Sequence, residues 1–220
     1  SSDVCSSDLI ENVMTKAYTL YENTKDNKEI NNLSLDVARE VHEIKKDYHR
    51  VINGFRSYVD NFDLNKPMSM KDIGLIIESN LDRYIKYLEK EIEIDIKFYS
   101  NIRIKKYYYL FTIINNLIIN AIEAIIDNGY IYVEGKSIKE NFILKIVDNG
   151  PGMDEDIKPY IFNPGFTTKY DSKSGTQSTG IGLSHVDYIV KRLNGNIQVE
   201  SEIDKGTTFI ITIPINTLRG

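Results

Sequence analysis

The chain has 220 residues, 27 of them Lys or Arg and 32 Asp or Glu, for a net charge of −5. This length suits one or two domains with a real core, and a hydrophobic content of 41% is that of a globular protein. The acidic balance disfavours nucleic-acid binding as a main activity, and one cysteine, Cys5, excludes an internal disulfide and any cysteine-based metal site. No apolar run reaches the roughly 18 residues of a membrane-spanning helix. The nearest stretch, Leu110–Ile126, is broken by Asn115, Asn116, Asn120 and Glu123.

Residues 1–9 repeat Ser-Ser-Asp and fit no element, so they read as a non-native leader. With neither an initiating Met nor a signal peptide, the chain reads as a fragment whose upstream part is missing. Residues 10–30 are expected to form a helix with Val13, Ala17, Leu20 and Tyr21 on one side, and 26–32 a polar break. Over 33–62, Val37, Val41, Ile44, Tyr48, Val51, Phe55, Tyr58 and Phe62 alternate steps of four and three. That is a heptad seam, the pattern of a helix in a coiled coil or bundle. A helix this long needs a partner for its seam: residues 10–30, a second subunit, or both. His42 and Glu43 follow Val41 at the seam's edge, and His49 lies one heptad on. A neutral imidazole is a competent phosphoryl acceptor near pH 7, and Glu43 can orient it or take its proton. An exposed helical histidine without a chemical role fits the same residues.

Asn61–Pro67 is a turn-rich linker, which divides a helical segment, 10–66, from a second domain, 67–220. Ser69-Met70-Lys71-Asp72 reads as a capping box. It opens a helix that carries Ile73, Ile76, Ile77, Leu81, Tyr84, Ile85 and Leu88. Residues 92–98 alternate strictly, as a half-buried strand does, and put their charges on a solvated face. Tyr107-Tyr108-Tyr109 are expected to be packing residues. The helical run Tyr107–Asp127 has a core face of Leu110, Ile114, Leu117, Ala121 and Ile125. Asn116, Asn120, Glu123 and Asp127 form a second stripe at the same spacing. Asparagine is a poor helix-interior residue, so two on one face suggest a role. An amide oxygen suits a hard cation such as Mg²⁺, which takes few protein ligands beside phosphate oxygens and waters. A solvated polar stripe is the plainer alternative.

Strands are expected at 130–134 and 142–147, joined by the polar turn Ser137–Asn141. The second strand ends on an acid and a glycine turn, Asp148-Asn149-Gly150-Pro151-Gly152. A carboxylate there can accept from the exocyclic amine of a base, and glycines let backbone approach a ligand closely. A long polar loop follows, in which Phe162 and Phe166 are candidate anchors or a hinge and Thr167, Thr168 and Lys169 candidate phosphate contacts. It closes on Gly180-Ile181-Gly182-Leu183, the start of a helix, Gly182–Leu193, whose free N–H groups and dipole favour an anion. His185 on this helix reads as structural or surface-exposed. Asn194-Gly195 caps the helix in a left-handed turn. Strands at 197–201 and 207–213 complete the sheet. Lys205-Gly206-Thr207-Thr208-Phe209 is hairpin chemistry whose meaning comes from its neighbours.

Taken in order, these motifs resemble the ATP-binding domain of sensor histidine kinases, within the superfamily that includes gyrase, mismatch-repair and heat-shock chaperone ATPases. Asn116–Ala121 is similar to the family's asparagine box, Asp148–Gly152 to its first glycine box, Phe162–Lys169 to its phenylalanine box and Gly180–Leu183 to its second glycine box. Val41-His42-Glu43-Ile44 is similar to its phosphoacceptor box, with Lys46 where Thr or Asn is common. The resemblance implies a two-layer α/β sandwich, a mixed sheet with helices on one face, preceded by a helical dimerisation segment. It implies ATP and Mg²⁺ as ligands, with Asn120 on Mg²⁺, Asn116 near the phosphates, Asp148 on the adenine amine and Gly150 and Gly152 shaping that pocket. Residues 152–180 become the lid over the nucleotide, and Gly180, Gly182 and Leu183 underlie the phosphates. Phe162, Thr168, Lys169 and Thr207 join the nucleotide-contacting set. Hydrolysing relatives carry Glu where this chain has Asn116, an amide that cannot take a proton, which argues for phosphoryl transfer. The implied function is autophosphorylation of His42, or of His49, in a homodimer. The phosphoryl then passes to an aspartate of a response-regulator receiver domain. The implied location is cytoplasmic, with a membrane reached only through a missing upstream segment. Two alternatives stay open: a serine kinase of the same superfamily that acts on a partner, and a dimeric nucleotide-binding scaffold without phosphoryl transfer.

Overall fold

The computed structural model describes residues 66–168 and 180–219, the strand backbone at 170–171 and 176–177, and scattered positions between 13 and 41. The chain divides into two compact units, residues 1–56 and 57–220.

In the first unit, the described positions at 13–23 and 30–41 are helical, apart from a turn at Thr24. The Asn31 side chain donates to the Tyr21 carbonyl at 2.6 Å, and the buried Ser34 hydroxyl donates to the Ile30 carbonyl at 2.7 Å. Of the expected heptad seam, Val37 is exposed and Val41 buried. The rest of the seam lies outside the described residues, as do His42, Glu43 and His49.

The second unit is built on a five-stranded mixed sheet. Its strands are β2 (Glu91–Phe98), β4 (Asn128–Ile138), β5 (Asn141–Asp148), β8 (Asn196–Glu202) and β9 (Gly206–Pro214), in the order β2-β4-β5-β9-β8. The β2/β4 pair is parallel and every other pair antiparallel. A two-stranded pair, β1 (Met68–Ser69) with β3 (Arg103–Ile104), stands apart. A small hairpin, β6 (Tyr170–Asp171) with β7 (Thr176–Gln177), lies in the long loop. Three helices cover one face of the sheet. Helix α1 (Met70–Leu88) packs on β2, α2 (Tyr107–Ala124) on β5, and α3 (Gly182–Arg192) on β8 and α2.

The period-two pattern decides which sheet face is covered. Ile131, Val133, Phe142, Leu144, Ile146, Phe209, Ile211 and Ile213 are all buried beneath the helices. Between them, Lys97, Asp95, Tyr132, Glu134 and Lys136 point to the other face, where Lys97 pairs with Asp95 at 2.5 Å and Lys136 with Glu134 at 2.6 Å. The capping box of α1 forms as expected: Ser69 Oγ accepts from the Asp72 N–H at 3.2 Å, and Asp72 Oδ2 accepts from the Ser69 N–H at 3.3 Å. Asn194, at φ 54°, ends α3 in the expected left-handed turn.

Several boundaries differ from the sequence reading. Helix α2 stops at Ala124, not Asp127, because Ile125 turns to extended backbone and is buried. Asp127 then serves the sheet, its carbonyl accepting from the Glu91 N–H at 3.0 Å. Strand β4 runs on from 134 to Ile138, since pairing with β5 carries residues of weak strand propensity, and the turn is held by Lys139 at φ 54°. Of the three tyrosines, only Tyr107 is buried; Tyr108 is exposed, its ring 4.1 Å from that of Tyr109. Although much of its ring is exposed, the partial burial of the Tyr108 hydroxyl and the neighbouring Tyr109 push it up to about 12. A short helix, α4 (Ile215–Arg219), follows β9, and its Leu218 carbonyl accepts from the Lys105 and Lys106 N–H groups at 3.1 and 3.2 Å.

Phe142, near the start of the central strand β5, is fully buried. Phe142→Ala is expected to destabilise the second unit by about 3–5 kcal/mol, as measured by urea unfolding. A loss below about 1 kcal/mol would mean that the site collapses around the gap.

Candidate functional site

Helix α2 is buried through Leu110, Phe111, Ile113, Ile114, Leu117, Ile118, Ala121 and Ile122, which surround most of its circumference. The remaining stripe carries Thr112, Asn116, Asn120 and Glu123, with the half-buried Ile119 among them. Along it the Thr112 hydroxyl donates to the Tyr108 carbonyl at 2.9 Å, and Asn116 Nδ2 donates to the Thr112 carbonyl at 2.9 Å. That bond turns Asn116 Oδ1 toward the start of α3. A β-carbon placed on Gly182 would lie 3.3 Å from this oxygen, and 3.7 and 3.9 Å from Nδ2 and Oδ1 of Asn120. The two amides therefore lie against the first residue of α3, and all three residues are half-buried. Helix α3 has no side-chain N-cap and no acid in its first turn, so neither compensates the positive end of its dipole.

The second half of the site is Asp148, at the end of the central strand β5. Only 8% of it is exposed. Its Oδ1 accepts from the Gly150 N–H at 2.9 Å, and the Thr207 backbone also serves the carboxylate. Burial raises the Asp148 pKa above the ordinary carboxylate value, and the two backbone donors hold it down in part. Gly206, at φ 95°, lies against the Asp148 carbonyl, where a β-carbon would collide with the oxygen. The buried Thr207 shares a hydrogen bond of 2.9 Å with Ser201 through their hydroxyls.

Three contributors escape a reading by motif. Asn149 Oδ1 accepts from the Tyr130 N–H at 2.7 Å, and its own N–H donates to the Tyr130 carbonyl at 3.2 Å, so it pins the glycine turn to β4. Ile125 backs the pocket, 3.5 Å from where a Gly150 β-carbon would sit. Ile161, not Phe162 or Phe166, is the buried anchor of the following loop; Phe162 and Phe166 are half-buried, and Phe166 faces Tyr160 at 6.1 Å. The position of Asn149 inside the glycine turn was the available signal for the first. An isoleucine in a loop carries none.

The loop's two feet meet: a β-carbon on Gly180, at φ 63°, would lie 2.5 Å from the Phe166 carbonyl oxygen. Gly152 and Leu183 are half-buried, Gly150 is buried, Thr168 is exposed, and Lys169 lies outside the described residues. His185 is half-buried, and burial holds its imidazole below the usual value. Among the described residues no group of three His, Cys, Asp or Glu could hold a metal ion, and no helix is long and apolar enough to cross a membrane.

Residues 106–217, which contain both halves of this site, match the family described as histidine kinase-, DNA gyrase B-, and HSP90-like ATPase. The chain belongs to that family. Within it, the sensor histidine kinase GlnK of Bacillus subtilis (strain 168) is 36% identical over 215 residues, which are 94% of this chain and 51% of GlnK. The sensor histidine kinase ZraS of Escherichia coli (strain K12) is 38% identical over 104 residues, 47% of this chain and 21% of ZraS. The chain thus spans about half the length of GlnK and about a fifth of ZraS. A nucleotide-free catalytic domain of histidine kinase ThkA superposes with a TM-score of 0.56 at 25% identity, covering 67% of this chain and 95% of that one. The second unit thus has the fold of this ATPase family and is similar to the catalytic domains of sensor histidine kinases.

The raised pKa of Asp148 has a definite sign. The folded core favours the protonated carboxyl, so the stability it contributes is full below the ordinary carboxylate value and is lost as pH rises through the raised one. Asp148→Asn removes this titration. Urea unfolding without nucleotide, from mildly acidic to neutral pH, should show the variant gaining on the wild type as pH rises. Parallel stability curves would contradict the burial of a charged Asp148.

Proposed function

We propose that the chain is the core of an ATP-dependent protein histidine kinase. The observation that carries this is the pairing of two anion- and cation-friendly amides against Gly182 with a buried carboxylate at the end of β5. Asp148 accepts from the adenine amine, a contact that its two backbone donors prepare by fixing the carboxylate. Gly150 and Gly152 shape that pocket, and Thr207 closes its floor beside Asp148. The uncompensated start of α3, through Gly180, Gly182 and Leu183, takes the phosphates, with Phe162, Thr168 and Lys169 on the lid side.

The donor chemistry fits Mg²⁺. Asn120 supplies a neutral oxygen-bearing amide beside Gly182, and Asn116 lies against the same glycine. A hard cation completes such a site with nucleotide oxygens and waters. When bound, it neutralises charge on the phosphates. Asn116 cannot accept a proton from water, which favours transfer over hydrolysis.

The acceptor in this reading is His42, with His49 as the alternative one heptad on. The ring nitrogen that bears the lone pair attacks the terminal phosphorus, the bond to the bridging oxygen breaks, and ADP leaves with that electron pair. Glu43 takes the proton from the other ring nitrogen. The phosphoryl then passes to an aspartate of a receiver domain, and the kinase works as a homodimer in the cytoplasm. The match of 94% of this chain to a sensor histidine kinase, over half of that protein's length, supports this reading over a serine kinase or a silent scaffold.

Autophosphorylation with γ-labelled ATP and Mg²⁺ tests the proposal in wild type, His42→Gln and His49→Gln. Acid-labile, base-stable label lost only with His42→Gln is the expected result. Loss only with His49→Gln moves the acceptor, and no label in a wild type that binds ATP contradicts the kinase reading. Asp148→Asn is expected to weaken ATP binding by about 1.5–3 kcal/mol, the worth of a charge-assisted hydrogen bond, as measured by titration calorimetry. Asn120→Ala should abolish phosphoryl transfer while circular dichroism stays that of the wild type; full turnover would remove Asn120 from the cation.

A further inference from the structure

Helix α2 carries Asn116 and Asn120, and at its C-terminal end the Ile125 N–H donates to the Ala121 carbonyl at 3.0 Å, with no side-chain cap from the helix itself. It has no basic residue in its last turn, and its C-cap, Ile125, is extended. The terminal carbonyls of a helix need donors, and the negative end of its dipole favours a cation. Both come from another element. Lys90, in the turn before β2, donates from Nζ to the carbonyls of Ile122 at 2.8 Å and Ile125 at 2.5 Å, and approaches that of Glu123 at 3.5 Å. The next residue, Glu91, donates its N–H to the Asp127 carbonyl at 3.0 Å.

Ile125, whose carbonyl Lys90 holds, also backs the candidate site. The Ile125 side chain lies 2.9 Å from where a β-carbon on Gly129 would sit and 3.5 Å from one on Gly150, whose N–H holds Asp148. One ammonium therefore fixes both the end of the helix that bears Asn120 and the residue behind the Asp148 pocket.

We propose that Lys90 is a positioning residue for the nucleotide site, acting through the end of α2 and Ile125. This rests on the nucleotide reading of that site. Lys90→Met should lower the affinity for ADP–Mg²⁺ about tenfold, the low end of what loss of an outer supporting contact costs. Lys90→Arg, which keeps the charge and several donors, should restore most of it. Ser69→Ala, which removes the α1 cap and lowers stability, should leave affinity unchanged.

The measurement is titration calorimetry of the whole chain with ADP–Mg²⁺, at a temperature where circular dichroism shows every variant folded. Lower affinity in Lys90→Met, rescued by Lys90→Arg and absent in Ser69→Ala, supports the proposal. Wild-type affinity in a Lys90→Met protein of reduced melting temperature overturns it, leaving Lys90 a structural cap only. A wild type that binds no nucleotide overturns the site reading and the proposal with it. If Lys90→Met does not fold, Lys90→Gln, which keeps one donor and loses the charge, is judged by the same outcomes.

Discussion

A carboxylate placed at the buried end of a central strand is the constraint around which the rest of the second unit is arranged. Asp148 is almost fully out of water, and burial works against its charge. Such a group is tolerable only where donors are fixed around it. The donors here are backbone: the Gly150 N–H from the turn that follows, and Thr207 from the strand alongside. Gly206 lets β9 approach the Asp148 carbonyl closely enough for this, and Asn149 ties the turn to β4. A purely structural core would gain more from an apolar residue at this position. That cost is the physical reason to assign Asp148 to a ligand.

The second constraint is the asparagine helix. It is held between sheet and neighbouring helices so completely that only one stripe is left, and that stripe is where Asn116 and Asn120 lie. Neither end of α2 is capped by a side chain of its own. At the start, the Leu218 carbonyl accepts from Lys105 and Lys106; at the finish, Lys90 donates to the last carbonyls. Precision at the site is therefore borrowed from α4 and from the turn before β2. The loop that follows β5 has a similar division: Ile161 anchors its first part, and Gly180 brings its far end back against Phe166.

What could be read from the sequence follows from how local each signal is. Asn116 and Asn120 announce themselves by spacing on one helix, and Asp148 by ending a hydrophobic strand on a glycine turn. The Ser69–Asp72 capping box and the left-handed Asn194 were legible because both are set by neighbouring residues. Lys90 was not, since its partners lie 32 to 35 residues away and a lone lysine in a turn has no period. The extension of β4 past Gly135 also escaped, because β5 imposes it by pairing rather than by propensity. The two-residue pair of β1 and β3 is too short to leave a pattern at all.

In the proposed function, the α2 stripe and the Asp148 turn form one nucleotide site. Backbone amide NMR of the protein titrated with ADP–Mg²⁺ addresses it most directly, because it reports on both halves at once. The account predicts saturable shifts at Asn120, Gly150, Gly182 and Thr207 that share one binding constant, with the outward sheet residues around Lys145 unmoved. Binding that shifts only one of the two groups, or none of them, would contradict it.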